Sequence, residues 1–214
     1  MLSNNFHRGL TILILLFGIV SCSDKQEKIP ILDFENKAQV LDAVKKHYNK
    51  ETQAAFGGLF DETGKQFIVA GWEINNSDDC GIKFAFLEKS DDEFESIYET
   101  ELLDGSFKES FVDKIKFSSI DYDLVYYNSQ GYFMGSGGGE VFSYIIDLEN
   151  KQIYYAHLVV ESQTATYLFI SDNTKNKELI NFFTLTFKKD YPGLTIVEDD
   201  IVLDWCRMFF EVFK

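Results

Sequence analysis

Between Phe67 and Ser171 the chain is a succession of short strand-like runs, most of them separated from the next by only two to six polar or glycine residues. Gaps of that length join antiparallel strands, because a parallel pair needs a crossover of roughly a dozen residues or more. The runs are Phe67 to Trp72, Gly81 to Glu88, Phe94 to Glu101, Lys114 to Ile120, Leu124 to Asn128, Glu140 to Leu148, Gln152 to Val160 and Thr164 to Ser171. Leu59-Phe60 reads as a short strand ahead of the first run, joined to it by the turn Asp61-Glu62-Thr63-Gly64-Lys65 as a hairpin connection. Alternation is clearest at the second run, where Ile82, Phe84 and Phe86 share one face and Gly81, Lys83 and Ala85 the other, as in a half-buried strand.

Helical periodicity flanks this region. Val40, Leu41, Val44 and Tyr48 form one apolar face between Asn36 and Tyr48. Leu179, Ile180, Phe183 and Phe187 fit a second helix within Lys175 to Asp190, although Phe183 to Phe187 also alternates like a strand; Pro192-Gly193 ends it. Val202, Cys206, Phe209 and Phe213 make a stripe for a last helix, capped by Asp199 or Asp200. The expected fold class is α+β, an antiparallel meander sheet of about eight or nine strands with the N-terminal helix and the C-terminal helices packed on it, covering one face. No run of Gly, Pro or Ser divides the chain, so 34–214 reads as a single acidic domain.

Charge narrows the partners. The 214 residues carry 35 acids against 20 bases, a net charge of −15, and such a surface repels phosphate backbones. A nucleic-acid-binding role is therefore set aside.

The N-terminus carries an address. His7 and Arg8 precede an uncharged apolar run from Leu10 to Val20, which is followed by Ser21 and Cys22. As a helix that run spans about 16 Å, too short for a hydrocarbon core of about 30 Å, and its layout is that of a signal peptide. The tetrad Ile19-Val20-Ser21-Cys22 resembles the lipobox of bacterial lipoproteins. That resemblance implies a signal peptide at 1–21, cleavage before Cys22, attachment of diacylglycerol to its sulfur, and a lipidated tether at 22–33. Ser23 after the cysteine resembles the context of outer-membrane lipoproteins, and the mixed charges of Ser23 to Lys28 form a solvated linker. The implied location is the cell envelope, on the periplasmic face or the cell surface of the outer membrane.

Chemistry-bearing residues are few. Beyond the address only His47 and His157 occur. His47 falls in the last turn of the first helix, where a cation suits the helix dipole; His157 alternates with Ile153, Tyr155 and Val159 and is the weak catalytic candidate. No metal site is expected, since the sequence has no His-x-x-x-His or Cys-x-x-Cys spacing, and no cofactor motif is present. Acids cluster at Asp78-Asp79, Asp91-Asp92-Glu93, Asp121 with Asp123, and Glu198-Asp199-Asp200, each read as a solvated turn or helix start. With Cys22 acylated, Cys80 and Cys206 remain as a possible disulfide or as separate thiols.

The most unusual segment runs Gly131, Tyr132, Phe133, Met134, Gly135, Ser136, Gly137, Gly138, Gly139, Glu140. No Lys-Ser or Lys-Thr follows, so it is not a P-loop, and Met134 breaks the Gly-x-Ser-x-Gly pattern around Ser136. It reads either as a flexible hairpin connection or as a binding loop in which Tyr132, Phe133 and Met134 make the contact. Gly137 to Phe142 with Tyr144 to Asp147 resembles the sheet segments of some bacterial toxin-immunity domains. The expected role is non-enzymatic binding of a protein partner, with inhibition of a cationic toxin as one version. A carboxylate-based hydrolase and a glycan-binding lipoprotein are the alternatives.

Overall fold

In the computed structural model, the described residues are 29–200 apart from 30, 77–78, 92, 109, 131–137 and 162–164. They form α1 (Lys37–His47), β1 (Ala54–Gly58), β2 (Phe67–Asn75), β3 (Cys80–Lys89), β4 (Phe94–Glu99), β5 (Ser110–Ile115), β6 (Leu124–Gln130), β7 (Gly138–Asp147), β8 (Gln152–Glu161), β9 (Ala165–Ile170), α2 (Lys177–Asp190) and β10 (Thr195–Val197). The class is α+β, and the pairing is mostly antiparallel.

The strands do not make the single meander expected from their spacing. They split into a four-stranded sheet, β1-β2-β3-β4, and a six-stranded sheet, β10-β9-β8-β7-β6-β5. The division falls after β4, where Leu103 bridges back to Ile82 and the chain crosses to the second sheet. The two sheets share one core: Phe67, Val69, Ile82, Phe84 and Phe86 from the first meet Val125, Tyr127, Tyr144 and Ile146 from the second. Ring edges meet ring faces there, with Phe60 and Phe86 5.5 Å apart at 83° and Phe84 and Tyr127 5.4 Å apart at 63°. Tyr127 places its hydroxyl in this interior by donating to the carbonyl of Ser106 at 2.9 Å.

The helices cover opposite outer faces rather than one. Val40, Ala43 and Val44 of α1 pack on Ala55, Ile68, Ala70, Ala85 and Leu87 of the four-stranded sheet. Leu179, Phe183 and Phe187 of α2 pack on Leu124, Ile145, Leu158 and Leu168 of the six-stranded sheet. Alternation supplies both contacts, because odd and even residues of β2, β3, β6 and β7 each face an apolar layer. Asn36 caps α1 by accepting from the Gln39 N–H, and Asn176 caps α2 by accepting from the Glu178 N–H. The helical reading of Lys175 to Asp190 holds, since Leu179, Phe183 and Phe187 are all buried on one side.

Three further details differ from the sequence reading. The strand placed at Lys114 to Ile120 lies at Ser110–Ile115; beyond it Phe117 leaves the sheet to meet Phe182 of α2 edge-on at 5.5 Å, and Ser118 and Ser119 bond Glu178. The strand before the first hairpin is Ala54–Gly58 rather than Leu59-Phe60. β10 pairs with β9 in parallel, so β9, α2 and β10 form one crossover unit. The last helix expected from Val202 to Phe213 lies outside the described residues.

Candidate functional site

Glu140 sits two residues into β7, in step with Phe142, Tyr144 and Ile146, and so it points between the sheets. It is fully buried. Across the ladder Phe142 is level with His157 of β8, and their rings stack at 4.4 Å and 16°. This sets His157 diagonally beside Glu140, with Nε2 3.4 Å from Glu140 Oε1. After β10 the chain turns at Glu198 and Asp199 and brings Asp200 over the same spot, where its Oδ1 lies 2.8 Å from His157 Nδ1. Tyr155, two residues before His157 on the same face, donates its hydroxyl to Asp200 Oδ2 at 3.2 Å.

The result is a carboxylate, an imidazole and a second carboxylate in line, with both ring nitrogens facing acids. Burial on its own would push the imidazole pKa down. Hydrogen bonding to Asp200 and the charges of Asp200 and Glu140 outweigh it and raise the value to about 9. At neutral pH the ring is an imidazolium whose Nδ1–H donates to Asp200. Burial, then the charge of Asp200, likewise pushes the Tyr155 hydroxyl up to about 12, so it stays a donor. Neither Glu140 oxygen nor His157 Nε2 has a well-aligned hydrogen bond, which leaves the Glu140 contact an ion pair. Two anions and one cation give the cluster a net negative charge in a largely buried position.

A histidine acting as general base needs an unprotonated nitrogen aimed at a reacting group. Here Nε2 faces Glu140 instead of a hydroxyl or thiol, and the ring holds its proton. The arrangement fastens three parts of the chain together and leaves the imidazole no free lone pair. Among the described residues no group of three or more His, Cys, Asp or Glu is arranged to hold a metal ion.

The other expected site residues are distributed as follows. Cys22, Cys206 and Gly131, Tyr132, Phe133, Met134, Gly135, Ser136 and Gly137 lie outside the described residues. Gly138 and Gly139 are the first residues of β7, and Gly138 has φ 107°, a conformation that favours glycine. Glu140 is not at the surface of a loop: it faces inward as described. Cys80 begins β3 and is disulfide-bonded. His47 is the last residue of α1. Of the acidic clusters, Asp123 accepts from the Leu59 N–H at 3.1 Å, and Asp200 is drawn inward rather than left in a solvated turn.

The sequence reading missed Glu140 and Asp200 as partners of His157. The available signal was an acid heading the stripe Phe142, Tyr144, Ile146, since a charge in register with buried aromatics requires a counter-charge. Comparison with protein-family models, with curated proteins and with solved structures gives no match for this chain.

Proposed function

We propose that the chain is a lipid-anchored protein of the bacterial outer membrane with a non-enzymatic binding role, and that its partner is a protein presenting a cationic, extended segment. The observation that carries this reading is the outer edge of β4. Phe94–Glu99 bonds β3 on one side only, and among the described residues no strand pairs its other side. Glu93, Glu95, Glu99 and Glu101 along that edge are exposed, and no Lys or Arg occurs from Asp91 to Glu101.

An open edge offers a row of unpaired N–H and C=O groups to any extended chain. Acidic side chains along it repel a second copy of the same edge, which guards against self-association. The same charges attract a lysine- or arginine-rich segment and raise its association rate. Inhibition of a cationic toxin is one form of this role. A hydrolase that uses His157 as its base loses support because the imidazole is enclosed by Glu140 and Asp200. The anchor rests on the tetrad ending at Cys22.

The test is capture from native envelopes by the full-length lipoprotein and by a variant carrying Glu93→Lys, Glu95→Lys and Glu101→Lys. The reading expects a basic partner held by the wild type, released as salt is raised and absent from the variant, with the two proteins melting alike. Equal capture by both, or a partner unaffected by salt, contradicts it.

A further inference from the structure

At the far end of β7 from Glu140, roughly 23 Å away at about 3.3 Å per residue, three connections, β8 and the start of α2 converge on an open cavity of about 310 Å³. Its walls come from the β1–β2 connection (Glu62), the β5–β6 connection (Asp121, Tyr122), the β7–β8 hairpin (Asp147, Asn150) and β8 (Tyr154), with Ser119 and the start of α2 closing one side. The volume is at the small end of ligand pockets.

The floor is rigid. Asp147 is 2% exposed, and its carboxylate accepts from the Asn150 N–H at 3.0 Å, from Asn150 Nδ2 at 2.9 Å and from the Tyr122 hydroxyl at 3.2 Å. Asn150 Nδ2 also donates to the Tyr122 oxygen at 3.0 Å. Both amide protons of Asn150 are thereby used, while its carbonyl is left as an acceptor. The hairpin is set by Lys151, which adopts φ 50°.

The rim is open. The carboxylates of Glu62 and Asp121 are exposed acceptors. Tyr154 is half-buried in the wall, and its hydroxyl makes no hydrogen bond among the described residues; burial and then the Asp147 charge keep it protonated and able to donate. Asn176 Nδ2 spends one proton on Ser119 Oγ at 3.2 Å and keeps the other.

This inventory selects a ligand class. No Lys, Arg or His lines the cavity, so an anion would meet Glu62, Asp121 and Asp147 without a counter-charge. An apolar ligand would strip water from these polar groups without replacing their hydrogen bonds. An ammonium group would satisfy the carboxylates but leave the Tyr154 and Asn176 donors unused. A neutral ligand whose every hydroxyl both donates and accepts uses all of them, with the Tyr154 ring as an apolar wall. We infer that this cavity is a binding site for a single neutral sugar unit, independent of the protein-binding edge at β4.

The test uses the full-length lipoprotein in detergent micelles and a panel of neutral methyl hexopyranosides and N-acetylhexosamines, with spermidine and inorganic phosphate beside them, read by ligand-observed NMR. Asp121→Asn and Tyr154→Phe serve as variants, each removing a rim group and leaving the floor intact. The expected result is saturable binding of at least one sugar, weakened about tenfold or more by each variant with an unchanged melting temperature. No sugar binding, binding indifferent to both variants, or binding of spermidine or phosphate alone overturns the inference.

Discussion

Asp200 Oδ1 lies 2.8 Å from His157 Nδ1 across 43 residues of sequence, fastening the segment that leaves β10 to the middle of β8. The second ring nitrogen meets Glu140 at 3.4 Å, so the imidazolium joins three separate stretches of the chain. Removing any one of the three has a different electrostatic outcome, which makes the cluster open to test.

The pH dependence follows from the imidazole. Its folded pKa of about 9 stands above the ordinary value of 6.5. The stability it contributes is therefore fully present below pH 6.5 and is lost as the pH rises through about 9, by up to about 3 kcal/mol. Urea unfolding between these pH values should show the decline, and His157→Gln should flatten it. A wild-type profile as flat as that of the variant would refute the coupling.

Charge balance sets an order among substitutions. His157→Gln leaves the buried Glu140 and the partly buried Asp200 without their cation and should destabilise by about 3 to 5 kcal/mol. Glu140→Gln leaves a balanced pair of His157 and Asp200, so its loss should be clearly smaller. Equal losses in chemical denaturation would show that the negative charge on Glu140 is not the excess one.

The packing of the two sheets can be probed at Gly71. A Cβ there would stand 2.6 Å from Cε1 of Phe84 and 2.7 Å from Cζ of Phe107, inside the shared core. Gly71→Ala should cost about 1 to 3 kcal/mol by overcrowding. A melting temperature equal to wild type would mean that these rings are not held as described.

The anchor predicts a simple loss. Two or three acyl chains hold a protein firmly on a bilayer, so the wild type should stay with membranes through carbonate washing. Cys22→Ser should lose lipid labelling and wash off. Unchanged retention and labelling would contradict lipidation at Cys22.

Cys80 is disulfide-bonded, and Cys22 and Cys206 are the other two cysteines of the chain. With Cys22 acylated, Cys206 is the expected partner. Such a bridge closes a loop of about 125 residues, worth roughly 4 to 5 kcal/mol in the chain-entropy treatment. Peptide mapping without reduction should yield a linked Cys80–Cys206 pair; two alkylatable thiols at these positions would exclude it.

Strand order was readable where local alternation reports burial. Ile82, Phe84 and Phe86 announce an inner face because each meets the same core. The partition into two sheets was not readable: the crossing after β4 depends on Leu103 meeting Ile82, a long-range contact with no local signature. β10, three residues long, is too short for any period, and its parallel partner β9 lies on the other side of α2 in the sequence. His157 was visible as a strand histidine, but Glu140 and Asp200 stand 17 and 43 residues away, and only the fold brings them to its two nitrogens.

A cationic segment docked on the β4 edge can be captured there by site-specific photo-crosslinking. Ile97, exposed in the middle of that edge, is replaced by a photo-reactive residue in the protein expressed in its own cells. The expected product is an adduct whose linked peptide is rich in Lys or Arg and which is lost when Glu93 and Glu95 are also changed to Lys. No protein adduct at position 97, an adduct to an acidic or neutral segment, or one that survives the charge reversal would contradict it.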